Sequence, residues 1–328
     1  MKVLVTGGSG YIGSHVVKLL KEQGHIPVVY DLMATRRTWA HSGVNAISGD
    51  ISNKWALEKL LEFSNFDAVV HLAASSEIEQ SVSGPLVYYT NNVGGSAVLL
   101  EACKKYKISK VVFSSSSAVY GKVNVLPSSE EDPKAPITSY GSSKLAVESM
   151  LRDVNVAHGI RSVSLRYFNA SSAAPDASIG EFREHPTHLI PSLQAYREGR
   201  KDKFVLYGNN YLTRDGTAIR DYAHVWDIAQ AHIDALGYLD KGGETVCLNV
   251  GSGSGSTVLE VLREFEKQTG FEINPEFKDP RPGDIPENWA DISKAKSVLG
   301  WTPKRSKLET IIEDAVRWYS SEAYKRLL

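Results

Sequence analysis

Tyr140 and Lys144 stand four residues apart in the run SYGSSK at 139–144, with Pro136 just ahead to close the preceding loop. At helical spacing the two side chains share one face, about 6 Å apart along the axis. A phenol with a pKa near 10 is a poor base at neutral pH, and drawing it down by about 3 units takes roughly 4 kcal/mol of preferential phenolate stabilisation. A lysine beside it supplies part of that, and a bound cation would supply more. Taken alone, such a pair is equally an ordinary exposed tyrosine and lysine. Its meaning depends on the rest of the chain.

A second group is GGSGYIG at 7–13, which follows an apolar run and opens a helical one. Gly7, Gly10 and Gly13 let backbone approach a pyrophosphate seated on a helix amino terminus, where unpaired N–H groups and the dipole favour negative charge. Tyr11 and Ile12 lie inside that turn. Asp31 ends the next apolar run, 18 residues beyond Gly13. A carboxylate there can accept both ribose hydroxyls of NAD and would repel a 2′-phosphate. Arg36 and Arg37 argue for NADP, although five and six residues past Asp31 they also fit a solvated loop pair, which is the reading preferred here. Asp50 and Ile51 follow the expected third strand, where they would hold adenine by a hydrogen bond and an apolar contact, or simply form a turn.

The elements that must position these groups are visible as short Val-rich runs at 2–6, 26–30, 68–72, 111–114 and 162–166, alternating with amphipathic stretches at 15–23, 54–63, 94–106 and 140–158. Strand then helix, repeated, predicts an α/β fold: a doubly wound parallel-sheet (Rossmann) domain. After about residue 166 Gly, Pro and polar residues dominate as far as 191, which reads as the passage into a smaller α/β substrate-binding domain. The expected division is 1–169 for the dinucleotide, with about 221–250 crossing back to it, and 170–328 for the substrate. GSGSGS at 251–256 sits between a strand and a helix and reads as a tight loop rather than a flexible linker.

The chain has 328 residues, 42% hydrophobic and 23% charged, enough to bury a large core. Lys and Arg number 37 against 38 Asp and Glu, so no basic surplus exists for a nucleic-acid backbone or an acidic membrane. Two cysteines, Cys103 and Cys247, cannot build a disulfide framework or a Cys-rich zinc site, and a reducing compartment fits. His185 and His188 lack a convincing carboxylate partner, so no metal is expected. No run of about 18 apolar residues occurs, and MKVLVTGG leads into a turn rather than an export signal. The expectation is a soluble cytoplasmic protein without nucleic-acid or membrane partners.

TGGSGYIGS at 6–14, SSSSAVYG at 114–121, SYGSSK at 139–144, LRYFN at 165–169, RDYAHVWD at 220–227 and RPGD at 281–284 together resemble the extended short-chain dehydrogenase/reductase superfamily, and most closely its UDP-glucose (UDP-galactose) 4-epimerase family. The resemblance covers essentially the whole chain. It implies an NAD-dependent UDP-hexose 4-epimerase that takes a hydride from C4 of the sugar and, after the transient 4-keto sugar has turned in the site, returns it to the opposite face. On that resemblance Tyr140 removes the 4-hydroxyl proton, Lys144 bonds the nicotinamide ribose and lowers the tyrosine pKa, and Ser116 holds the hydroxyl, with Ser115 and Ser117 as alternatives in the serine run.

The implied cofactor contacts are Gly7, Gly10, Tyr11, Ile12, Gly13, Asp31, Asp50 and Ile51, joined by Ala73, Asn92, Lys144 and Tyr167. The implied UDP-sugar contacts, besides Ser116 and Tyr140, are Phe168, Asn169, His188, Leu189, Tyr207 and Val258, with Arg220, Arg281, Asp284 and Asn288. Arginine suits the diphosphate because its guanidinium fork matches two phosphate oxygens. A homodimer paired through helices at 94–106 and 140–158 is also implied.

The chain departs from the family at Ser76, where some members carry a lysine near the cofactor, and at Ala118, where some carry a threonine. Dehydratase and decarboxylase relatives need acids beside the VYG run, and Ser117-Ala118 supplies none. Asn288 aligns with a wall position at which smaller residues admit an N-acetyl group, so activity on UDP-N-acetylglucosamine is expected besides the main one. A preference for that sugar, for UDP-glucuronate or for a UDP-pentose is the alternative within the class. An alternative of another class is a non-catalytic dinucleotide sensor, against which the intact Tyr140 and Lys144 argue.

Overall fold

The Val-rich runs are buried on both faces, which only a sheet covered by helices on each side allows. In the computed structural model, which describes residues 1–328 except 124, 282 and 283, six of the strands are β1 (Lys2–Thr6), β2 (Ile26–Asp31), β3 (Asn45–Ser48), β4 (Ala68–His71), β5 (Lys110–Ser116) and β6 (Arg161–Tyr167). With Val246–Val250 they form a seven-stranded parallel sheet in the order Val246–Val250, β6, β5, β4, β1, β2, β3. Leu4 registers with Val28 and Val69 and faces the helices Lys54–Glu62, Gly95–Lys105 and Ser139–His158. Val3 and Val5 face the other way, onto Tyr11–Glu22 and Val225–Asp240. The strand order reverses between β1 and β4, and the carboxyl ends of these strands flank the crevice at that switch point. The middle of the RPGD run lies outside the described residues.

A separate apolar cluster joins Leu189–Arg197, Val258–Thr269 and Leu308–Tyr319 around Phe265, Ile312 and Trp318. Its strands are short, among them Val205–Tyr207, Ile219–Arg220 and Glu287–Asn288. Helix Ser293–Leu299 returns to the first core through Ala295, and Trp301 follows it there, its indole N–H donating to Asp227 O at 2.9 Å. The hydrophobic pattern had not singled out this return.

Local chemistry sets the boundaries of the helix that carries Tyr140. Thr138 caps its start by accepting from the Gly141 N–H at 3.2 Å, and Gly159 ends it at φ +69° with its N–H on Asn155 O. Gly251–Ser256 is a tight loop wrapped on the buried Asp221, whose carboxylate accepts from Ser252, Gly253 and Ala290 N–H groups at 2.6, 3.3 and 3.1 Å.

Candidate active site

A cleft of about 1540 Å³ opens over the switch point and is walled by both clusters. At its floor Gly7 takes φ +75° and donates its N–H to Tyr30 O at 3.0 Å. A Cβ at this position would lie 2.5 Å from Ala73 N, so only glycine lets the β1 turn pass so close to the loop after β4. Gly10 then caps the helix Tyr11–Glu22 without a side chain of its own, leaving the helix terminus open to an anion. Asp31 Oδ2 accepts the Ser9 N–H at 3.0 Å and Oδ1 the Met33 N–H at 2.7 Å, which fixes the carboxylate at the end of β2 with a further lone pair on each oxygen.

Asp50 Oδ1 accepts from both the N–H and the hydroxyl of Ser52, and Ile51 packs beside Gly95. Arg36 and Arg37 do not line the cleft. A glycine cradle with no room for a side chain and a carboxylate fixed at the end of β2 fit NAD, and among the described residues Arg36 and Arg37, the cations nearest Asp31 in sequence, stay off the lining that a 2′-phosphate would meet.

Tyr140 and Lys144 open onto the same cleft, on the first turns of Ser139–His158. The Lys144 ammonium lies 5.8 Å from the Tyr140 ring centroid and donates to Ser114 O at 2.7 Å. Burial pushes Lys144 down to about 7, with Glu148 pulling the other way. Burial raises the Tyr140 phenol, and the Ser116 hydroxyl works against that shift. Within the serine run, Ser115, Ser116 and Ser117 all reach the cleft, but Ser115 is buried and its hydroxyl is engaged in donating to Glu148 Oε1 at 2.5 Å, whereas Ser116 and Ser117 are half-buried. Gly141 explains the proximity of helix and strand end, because a Cβ there would collide with Ala118 O.

The far wall carries the groups expected to meet a UDP-sugar. Arg220 donates through Nη2 to Asp284 Oδ1 at 2.5 Å, and Tyr211 donates to the other Asp284 oxygen at 3.2 Å. Arg281 stacks 4.4 Å above the Tyr207 ring centroid and pairs with Glu79 at 3.1 Å. Asn288 lies in strand register with Arg220, and its Oδ1 accepts from Ser128 at 3.2 Å. Phe168, Asn169 and Leu189 also reach the cleft, as does His188, whose Nδ1 is 2.8 Å from Glu181. Tyr167 lines it too, its hydroxyl 2.5 Å from His232 Nε2.

Two expected contacts lie elsewhere. Asn92 is buried behind the wall on a π-helical turn, Tyr89–Gly94, that interrupts the helical stretch from Pro85 to Lys105. Its amide accepts the Ser75 N–H at 2.8 Å and donates to Ser75 O and Ser143 Oγ at 3.1 and 3.0 Å, so it holds the β4 loop against the Tyr140 helix. Val258 starts the helix Val258–Thr269 and packs into the second cluster, its N–H on Ala218 O. Conversely, Glu181, Arg183 and Tyr319 line the cleft although no motif in the sequence marks them. The first two lie in the polar passage 169–191, where no periodicity exists to aim a side chain, and Tyr319 ends an amphipathic helix as any core aromatic could. Among the described residues no group of His, Cys, Asp or Glu is placed to hold a metal, and no helix is long and apolar enough to cross a membrane.

Residues 3–251 match the model of the NAD dependent epimerase/dehydratase family. The chain is 44% identical to a UDP-glucose 4-epimerase of Azospirillum brasilense, over 98% of this chain and 92% of that protein. Among solved structures, the UDP-glucose 4-epimerase of Brucella ovis in complex with NAD superposes with a TM-score of 0.93 at 43% identity, covering 96% of this chain and 97% of that one. The UDP-Glc/GlcNAc 4-epimerase of Campylobacter jejuni superposes with a TM-score of 0.83 at 37% identity, covering 97% and 98%.

Proposed function

The chain belongs to the NAD dependent epimerase/dehydratase family, and on that premise we propose that it is an NAD-dependent UDP-hexose 4-epimerase interconverting UDP-glucose and UDP-galactose. The observation that carries this reading is one cleft lined at once by the glycine turn, by Tyr140 and Lys144, and by Arg220 and Arg281. When bound, NAD supplies a hydride acceptor at C4 that returns the hydride to the other face, so the reaction is redox-neutral overall.

In this reading the protein's own groups bind, orient and move the proton. Asp31 accepts the adenosine ribose hydroxyls, and the Tyr11–Glu22 helix terminus meets the pyrophosphate. Tyr140 takes the proton of the 4-hydroxyl, Ser116 holds that hydroxyl in line, and the Lys144 ammonium stabilises the phenolate. Arg220 and Arg281 clamp the UDP diphosphate; Asp284 and Glu79, their present partners, keep both guanidiniums extended into the cleft. The transient 4-keto sugar is free to turn because the protein grips the UDP rather than the hexose.

The division of labour follows the two cores, with 1–169 and about 221–250 serving the cofactor and most of 170–328 the UDP-sugar. Two copies pair through the helices at 94–106 and 140–158. Exposed Val156 on the second of these supports this, whereas the apolar side chains of Gly95–Lys105 are largely spent on the chain's own core. Sedimentation at about twice the chain mass of 36.0 kDa tests the pairing. A reducing cytoplasmic setting suits the two free cysteines.

Asn288 leaves the sugar wall open enough for turnover of UDP-N-acetylglucosamine as a lesser activity. A panel of UDP-galactose, UDP-N-acetylglucosamine, UDP-glucuronate and UDP-pentoses compared by kcat/KM tests the substrate assignment, since that ratio measures discrimination. UDP-galactose is expected to lead. A preference of more than about tenfold for UDP-glucuronate, ~1.4 kcal/mol in transition-state binding, would overturn the assignment.

A further inference from the structure

Arg183 joins the two walls of the cleft through contacts that the reaction itself does not use. It lies between the strand Asn169–Ser171 and the helix Leu189–Arg197 and lines the cleft. Its Nε donates to Glu181 Oε1 at 2.6 Å, and its Nη1 donates to Glu77 Oε1 in the loop that follows β4. Each partner is supported in turn. Thr187 donates to the second Glu77 oxygen at 3.2 Å, and His188 Nδ1 lies 2.8 Å from Glu181. Burial works to raise the Glu181 carboxyl, yet His188 and Arg183 hold it below its ordinary value, so the anion that anchors Arg183 persists. The side chains of Arg183 and Glu77 are 26% and 28% exposed, so their pairing is only partly screened by water.

These contacts complete a ring around the cofactor cradle. On one side Glu181 is close enough to Tyr11 to add to burial in raising its phenol, and the Tyr11 hydroxyl donates to Ser172 O at 2.7 Å. On the other side the loop that bears Glu77 begins where Ala73 abuts Gly7, and Asn92 pins it at Ser75. The ring thus runs from the glycine turn through segment 172–183 to Glu77 and back along the β4 loop. Tyr11 opens the Tyr11–Glu22 helix, so the helix terminus where a pyrophosphate would sit is itself one member of that ring.

We propose that the Glu77–Arg183 pair is a clasp that retains the cofactor, holding segment 181–188 across the cradle and opening when NAD leaves. This rests on the reading of the cradle as an NAD site. Retention has a chemical purpose in that reading, because a hydride taken from C4 must come back from the same cofactor before that cofactor is lost. Glu77 and Arg183 are positioning residues, since they act by fixing a segment rather than by touching the reacting atoms.

The test uses the NAD-loaded protein freed of unbound NAD. Released NAD is trapped by alcohol dehydrogenase with ethanol and followed as NADH at its absorbance. Glu77→Gln and Arg183→Gln should each speed release by at least about fivefold, the scale of one partly shielded ion pair. The double variant should release no faster than the faster single, because the two changes remove the same interaction. Arg183→Lys, which can still reach Glu77, should stay near the wild-type rate. Release within twofold of wild type in both Gln variants, or a double variant whose acceleration is the product of the singles, overturns the clasp. A wild-type chain that binds no NAD overturns the cradle reading instead.

Discussion

Tyr140 and Lys144 carry opposite electrostatic burdens in one small space. Burial raises the phenol, away from its proposed task as a base, and lowers the lysine to about 7. Tyr140→Phe removes the proposed proton acceptor while keeping the ring, so turnover should fall by roughly 10²- to 10⁴-fold, measured where chemistry limits the rate, and UDP affinity should survive. Lys144 has a stability consequence of fixed sign. With a folded pKa near 7 against an ordinary value of about 10.4, the unfolded chain binds more protons between those limits, so this group makes stability rise with pH across that window. Below pH 7 the full cost of burying the ammonium is present. Lys144→Met in NAD-free protein should therefore melt above wild type at pH 6, with the gain shrinking towards pH 9. A lower melting point at pH 6 would refute the burial cost.

The elements around these residues differ in how far the sequence announces them. The glycine turn, Asp31 and the Tyr140–Lys144 pair were legible because each occupies one short stretch whose spacing fixes its geometry. Asn92 lies off the cleft lining because a π turn, which no spacing rule anticipates, points its amide at Ser75 and Ser143. Val258 packs against the second cluster, and a helix start there looks the same in sequence whether its first side chain meets a ligand or a core. The strands of that cluster, two or three residues long, are too short for alternation to show. At this scale the contact of Gly141 with Ala118 O is the most consequential. Gly141→Ala should push the helix from the strand end and cost up to about a hundredfold in kcat, the scale of a displacement near 1 Å, with circular dichroism unchanged. Turnover within twofold of wild type would mean that the contact does not set the geometry.

For the molecule as a whole, the proposed function makes the cleft between two cores a separation of gripping from chemistry. In the proposed reading one wall offers the base and a place for the hydride carrier and the other offers the arginines, while the crossings of 225–250 and 293–301 tie the two together. Such an arrangement predicts a hydride that never leaves the cleft. The most direct measurement is conversion of UDP-galactose deuterated at C4, with no added reductant, followed by mass spectrometry and proton NMR of the UDP-glucose formed. The account predicts that the deuterium remains at C4 of the product in full while the configuration there inverts, and that no NADH accumulates. Loss of the label to water, its appearance in added free NAD, or build-up of a 4-keto sugar as the end product would contradict it.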